Sequence, residues 1–156
     1  DRFMLKIKVG YPNKDEERKI LDRMTISQSQ PKVDKVTNPE EIFAARQMVD
    51  QVFVDEKVRN YIVDVVQATR VESGQNPAEV EGMIEYGASP RASIFLMQGA
   101  KGHAFLQGRN YITPHDVKTI APDVLRHRIM LSYEAEAEGK SAEDIIQVIL
   151  DSVLVP

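Results

Sequence analysis

Gly87-Ala88-Ser89-Pro90-Arg91-Ala92-Ser93 reads as the start of a helix. Ser89 is a good N-cap, Pro90 takes the first helical position, where its missing N–H costs nothing, and Arg91 follows at the second. A helix N-terminus favours anions through its free N–H groups and its dipole, and a guanidinium there adds a forked donor matched to phosphate oxygens. Taken alone, an arginine in a first turn is more often a solvated surface residue. Similar starts occur at Asn38-Pro39-Glu40-Glu41 and Thr113-Pro114-His115-Asp116, each with a cap, a proline and an acid in the first turn. From residue 39 onward the chain therefore reads as helical.

Working outward, Ile42, Ala45, Val49 and Val52 recur at core-facing intervals and predict a helix over 39–53. Asp55 caps a second, with Val58, Ile62, Val65 and Thr69 along one side, and the two are expected to form a hairpin. A loop rich in Gly, Asn and Pro follows over 73–88. The Ser89 helix carries Ile94, Phe95, Met97 and Phe105 together with Gly99 and Gly102, which suggest close helix approach or a bend. Pro122 should kink or end the helix begun at Thr113, and Val124-Leu125-Arg126-His127-Arg128 resumes it or starts another. Ser141 and Asp144 cap a last helix with Ile145, Ile149 and Val153 on one side. Residues 39–156 thus predict a bundle of about five helices.

The N-terminal part differs. Phe3, Leu5, Ile7 and Val9 alternate with polar residues, the pattern of a strand ending at Gly10, and a lone strand needs partners from this chain, another copy or a sheet further upstream. Tyr11-Pro12 breaks it, and 15–24 reads as a helix with Ile20, Leu21 and Met24 on one side. The polar stretch 25–38 is the expected linker. Two domains are expected, a short α/β remnant over 1–38 and a helical domain over 39–156, in a mostly α chain.

Composition narrows the function classes. With 156 residues, 42% hydrophobic and 28% charged, the chain suits one ordinary domain, or a small one with a piece of a second. No apolar run approaches the roughly 20 residues of a membrane span, so no span is expected and a soluble, cytoplasmic protein fits. A formal net charge of −4 argues against a nucleic-acid domain, and Arg126 and Arg128 alone are too few for a basic recognition helix. There is no cysteine, and His103, His115 and His127 lack metal-ligand spacing, so no metal site is expected. The chain starts at Asp1 without a basic-then-apolar leader and reads as a piece of something longer.

No Gly-x-x-x-x-Gly-Lys-Ser/Thr loop occurs, so the chain holds no phosphate cradle of its own. Most carboxylates sit in helix first turns, where they complement the dipole. His127, between two arginines, reads as a partly buried histidine fixing helix ends rather than as a catalyst.

Five motifs fall in an order that resembles MoxR-family AAA+ ATPases. They are Asp1-Arg2-Phe3; the apolar stretch into Tyr11-Pro12 with Glu17-Arg18-Lys19-Ile20-Leu21; Gly87 to Ala92; Gly108-Arg109-Asn110-Tyr111-Ile112-Thr113-Pro114-His115-Asp116-Val117; and Val124 to Arg128. The resemblance covers nearly the whole chain. It implies the end of an α/β nucleotide-binding subdomain followed by a helical lid, with the Walker motifs upstream of Asp1. It also implies roles by position. Arg91 matches the sensor-2 arginine, which reaches the γ-phosphate in its own subunit, and Arg2 matches the arginine finger that enters a neighbour's site. Tyr11 and Pro12 match the hinge beside the adenine. For Arg2 the plain alternative is a disordered terminal residue.

What the resemblance implies for the full-length protein is ATP hydrolysis with Mg2+, a ring of identical subunits, expected to be a hexamer, and chaperone-like maturation of partners, often with a von Willebrand factor A domain. The 156-residue piece alone should be inactive and carry no bound cofactor. The competing reading is a helical protein-interaction module with no nucleotide role, supported by amphipathic helices in general.

Overall fold

The computed structural model describes residues 2–25 and 33–156. Among them seven α-helices run in chain order: α1 (Lys14–Met24), α2 (Pro39–Asp50), α3 (Glu56–Gln67), α4 (Pro90–Leu106), α5 (Pro114–Leu125), α6 (Tyr133–Ala137) and α7 (Ala142–Ser152). Two short strands, β1 (Ile84–Tyr86) and β2 (Met130–Leu131), pair antiparallel with an irregular register. The protein is thus mostly α, as its capped, periodic segments predict. Asn38, Asp55, Ser89 and Ser141 each accept a first-turn N–H, which sets four helix starts where the sequence placed them.

The core is built around α4. Ala92, Leu96, Ala100 and Ala104, spaced by four, have no exposure at all and form a narrow stripe of mostly small side chains. Small residues let a neighbouring helix come close. A Cβ built on Gly99 would sit 2.6 Å from Ile120 Cγ2, whereas one on Gly102 would meet nothing within 4 Å. Only the first glycine therefore marks a close approach. Contacts of α4 with α5 form an antiparallel series: His103 touches Asp116, Gly99 faces Ile120, and Phe95 lies under Arg128 just past the end of α5. Val58, Tyr61, Ile62, Val65 and Val66 of α3 and Ile145, Ile146, Ile149 and Leu150 of α7 complete the core.

Several expectations need correction. Residues 3–9 make no strand, because no strand among the described residues lies beside them; the Phe3, Met4 and Lys6 carbonyls accept from side chains and the Lys6 N–H donates to Asp123 O. The helix after them forms as expected, yet α1 buries no residue. Six helices rather than about five follow residue 39, the addition being the five-residue α6, too short to show a period. The loop over 73–88 contains β1, whose three residues carry no readable alternation. Pro122 does not end α5; the buried Ala121, Val124 and Leu125 hold its last turn against the core despite the missing N–H. The expected hairpin is replaced by α2 and α3 each packing on α4. α2 stops at Asp50 with its apolar side largely open, Ile42 being 48% exposed, and Val52 beyond it is the residue that enters the core. Of the expected linker 25–38, residues 26–32 lie outside the described residues, and 33–37 are exposed.

One buried carboxylate fixes the α4–α5 turn. Asp116 Oδ1 accepts from Arg109 Nη2 (2.5 Å) and His103 Nδ1 (2.6 Å), while Oδ2 accepts from Arg109 Nη1 (2.8 Å) and from the Thr113 N–H (2.7 Å) and hydroxyl (2.8 Å). The same turn is tied to the α2–α3 connection, since Phe53 N donates to Asn110 O and Ile112 N to Phe53 O. Burial alone would raise the Asp116 carboxyl, but Arg109, Thr113 and His103 outweigh it and hold the group well below the usual carboxylate range.

A carboxylate depressed in the folded state contributes stability that is present above its unfolded value, about 3.9, and is lost as pH falls below it. Asp116→Asn is expected to cost on the order of 3 kcal/mol at pH 7 and to flatten the stability profile below about pH 4. Urea unfolding across pH 2 to 7 reads both effects, and an unchanged acid slope would refute the lock.

The Gly99–Ile120 contact gives a second expectation. Gly99→Ala should destabilise the chain by about 1 kcal/mol, because the added methyl outweighs the gain in helix propensity. In an Ile120→Ala background the same change should become stabilising. Thermal unfolding of the four proteins checks the sign reversal.

Candidate functional site

The start of α4 is seated on the end of α3. A Cβ on Gly87 would lie 2.3 Å from the Thr69 carbonyl oxygen and 2.8 Å from Arg70 Cα, so this position requires glycine for close approach of two backbones. Ala88 N then donates to Thr69 Oγ1 (2.9 Å), and Arg70 Nε donates to Ala88 O (2.8 Å). Thr69 is wholly buried and anchors its own hydroxyl on Val66 O (2.7 Å). With Ser89 Oγ accepting from Arg91 N (3.3 Å), the backbone under Arg91 is fixed while its side chain remains exposed.

Arg91 has a cationic neighbour. Phe95, one turn further along α4, lies under the Arg128 guanidinium at 4.9 Å from ring centroid to Cζ. Arg128 is itself buried, and burial first, then the Arg91 charge, pull it below the ordinary arginine value. Two guanidinium groups therefore share one field at the α4 N-terminus, where the helix dipole also favours negative charge.

Arg128 also reaches the N-terminal segment, donating through Nη1 to Met4 O (3.1 Å) and through Nη2 to Phe3 O. His127 Nε2 donates to Phe3 O as well (3.0 Å), and Arg126 Nη1 to Lys6 O (2.7 Å). His127 thus holds a crossing chain segment rather than a helix end. Burial, opposed by the Phe3 carbonyl and aided by the Arg128 charge, lowers its basicity. Arg2 is exposed, next to a residue that Arg128 holds.

Tyr11 and Pro12 are not brought to this cluster. Both are exposed, Tyr11 fully, and no hydrogen bond or ion pair links them to Arg91 among the described residues. The chain reaches them after passing the start of α7, where Lys8 meets Glu143 at 3.5 Å. No group of three His, Asp or Glu side chains is arranged to hold a metal ion among the described residues. The sequence missed Arg128 as a site neighbour, Thr69 and Arg70 as the seat of α4, and the Asp116 lock. Only the adjacency of Arg126, His127 and Arg128 hinted at the first.

Comparisons with known proteins agree with this geometry. Residues 77–149, from the loop before β1 to α7, match the AAA lid domain. The whole chain is 38% identical to Chaperone MoxR1 of Mycobacterium tuberculosis and 37% identical to the uncharacterized protein YeaC of Bacillus subtilis, spanning 41% and 46% of their lengths. A solved structure from Cytophaga hutchinsonii, of a "putative ATPase", superposes with a TM-score of 0.91 at 37% identity over 99% of this chain and 47% of that one. The chain thus spans less than half the length of the relatives it matches. The matched lid takes in β1, α4, α5, β2, α6 and most of α7, and over its whole length the chain is similar to proteins of the MoxR type of AAA+ protein.

Proposed function

We propose that this chain is the C-terminal part of the ATPase core of a longer MoxR-type protein, and that Arg91 acts from the lid on the γ-phosphate of ATP bound in the same subunit. What supports this is the seating of Gly87 and Ala88 on Thr69 and Arg70, which positions the helix start bearing Arg91, with Arg128 nearby over Phe95 of the same helix. Residues 1–38 would close the α/β nucleotide-binding subdomain and residues 39–156 form the lid. In this reading Arg2 enters the neighbouring subunit's site, and Tyr11 and Pro12 form the hinge segment beside the adenine.

The described residues fit only the phosphate end of the nucleotide, because donors and positive charge gather there and no Gly-Lys-Ser/Thr cradle is present. ATP with Mg2+, when bound, would supply the transferable phosphoryl group and a neutralising cation. This chain supplies position and charge: Arg91 is held at a fixed height above the lid core, and Arg2 is presented on a segment that the lid grips. An arginine finger is worth about 10³ to 10⁵ in rate, or roughly 4 to 7 kcal/mol. In this reading the full-length protein forms a ring, expected to be a hexamer, in the cytoplasm and does chaperone-like work on partners bearing a von Willebrand factor A domain; likeness to a protein named Chaperone MoxR1 supports the chaperone part. Among the described residues no helix is long and apolar enough to cross a membrane.

A second reading, a helical module that binds a partner without nucleotide, rests on the open apolar side of α2, where Ile42, Phe43 and Met48 are about half exposed. It predicts no dependence of activity on Arg91.

Steady-state hydrolysis by the full-length protein separates the two. Arg91→Ala is expected to slow turnover at saturating ATP by at least about tenfold. An unchanged rate would remove Arg91 from the site. The 156-residue chain incubated alone with MgATP should show no hydrolysis above buffer.

A further inference from the structure

We propose that the turn Arg126-His127-Arg128 is a clamp that ties the segment carrying Arg2 to the end of α4 carrying Arg91, so that the two arginines move as one body. The proposal rests on the reading of Arg2 and Arg91 given above and adds two positioning residues, Arg128 and His127.

The backbone of residues 3–6 is the starting point. It pairs with no strand among the described residues, yet its carbonyl groups still require donors. Three consecutive side chains supply those of Phe3, Met4 and Lys6: Arg126 to Lys6 O, His127 to Phe3 O, and Arg128 to both Phe3 O and Met4 O. Lys6 N in turn donates to Asp123 O (2.9 Å), in the last turn of α5. The grip is therefore reciprocal and spans four residues, beginning immediately after Arg2.

Arg128 is what makes the grip more than local. A guanidinium carries five N–H donors in one plane, enough to bond two chain segments while a ring packs on its face. Here it bonds Phe3 O, Met4 O and its own Val124 O, and its face covers Phe95, four residues after Arg91 on the same helix. Four residues is about one helical turn, so Arg91 and Phe95 share a side of α4. A shift of α4 would pass through the Phe95–Arg128 contact to the Phe3 carbonyl. Whatever moves Arg91 toward or away from a phosphate in one subunit thus also moves the residue presented to the next. In a ring this couples the state of neighbouring sites without any contact between the two arginines.

The test uses ATP turnover by the full-length protein, with thermal unfolding as a control for folding. Arg2→Ala should lower kcat by about a hundredfold or more, and Arg128→Met, which keeps an apolar stem over Phe95, by about tenfold with KM within about twofold. Added to Arg2→Ala, Arg128→Met should change kcat by less than about twofold, since both act through one group. His127→Leu should slow turnover, and His127→Gln, whose amide can still donate to Phe3 O, should restore most of it. Multiplying losses in the double variant, equal rates for His127→Leu and His127→Gln, or an unaltered kcat for Arg128→Met would each overturn the clamp. If Arg128→Met does not fold, the His127 pair alone decides. Wild-type rates in both Arg2→Ala and Arg91→Ala would identify a failure of the functional reading itself, and the clamp would fall with it.

Discussion

The antiparallel pairing of α4 with α5 is the constraint on which the rest of this structure depends. At one end the Asp116 carboxylate gathers His103, Arg109 and Thr113, so the connection between the two helices has little freedom. In the middle, Gly99 lets Ile120 approach to a distance that a methyl group would not allow. The two helices are thereby held in one register. At the far end that register places the start of α4, with Arg91, beside the end of α5, with Arg126, His127 and Arg128. Cations at a helix C-terminus are favourable, and one at an N-terminus is not, so the Arg91 end gains most from an arriving anion.

Much of this was legible in the residues, for reasons that differ from element to element. Cap signals are local, involving a side chain and an N–H two or three residues away, so Asn38, Asp55, Ser89 and Ser141 could be read directly. Long apolar periods identified α3 and α7. The strand pattern of residues 3–9 misled because alternation reports a preference for extended backbone, whereas a strand requires a partner that the described residues do not provide. α2 misled in the opposite way: its apolar positions are real, but α4 covers only part of them. β1, β2 and α6 are too short to carry a period at all.

The site was legible in its positions and not in its connections. Arg91 could be placed at a helix start from Ser89 and Pro90 alone, and its importance came from the order of motifs around it. That Arg109 and Asp116 form a buried pair, or that Arg128 spans Phe95 and the Phe3 carbonyl, depends on contacts between residues far apart in sequence. Asp116 was read as a cap acid, which it is, since it takes the Thr113 N–H; its larger part in joining α4 to α5 has no local signature. Gly87 heads the motif that opens α4, but nothing local shows that its lack of a Cβ is what lets the α4 start rest on Thr69 and Arg70.

Together these contacts fix the backbone that leads into Arg91 and hold the segment that follows Arg2. In the proposed function Arg91 meets the nucleotide. A structure of the full-length protein with Mg2+ and a non-hydrolysable ATP analogue tests it most directly. The Arg91 guanidinium is expected within about 3 Å of a γ-phosphate oxygen of the nucleotide in its own subunit. An occupied nucleotide site with Arg91 still lying against the lid, and no lid arginine on the phosphate, would contradict it.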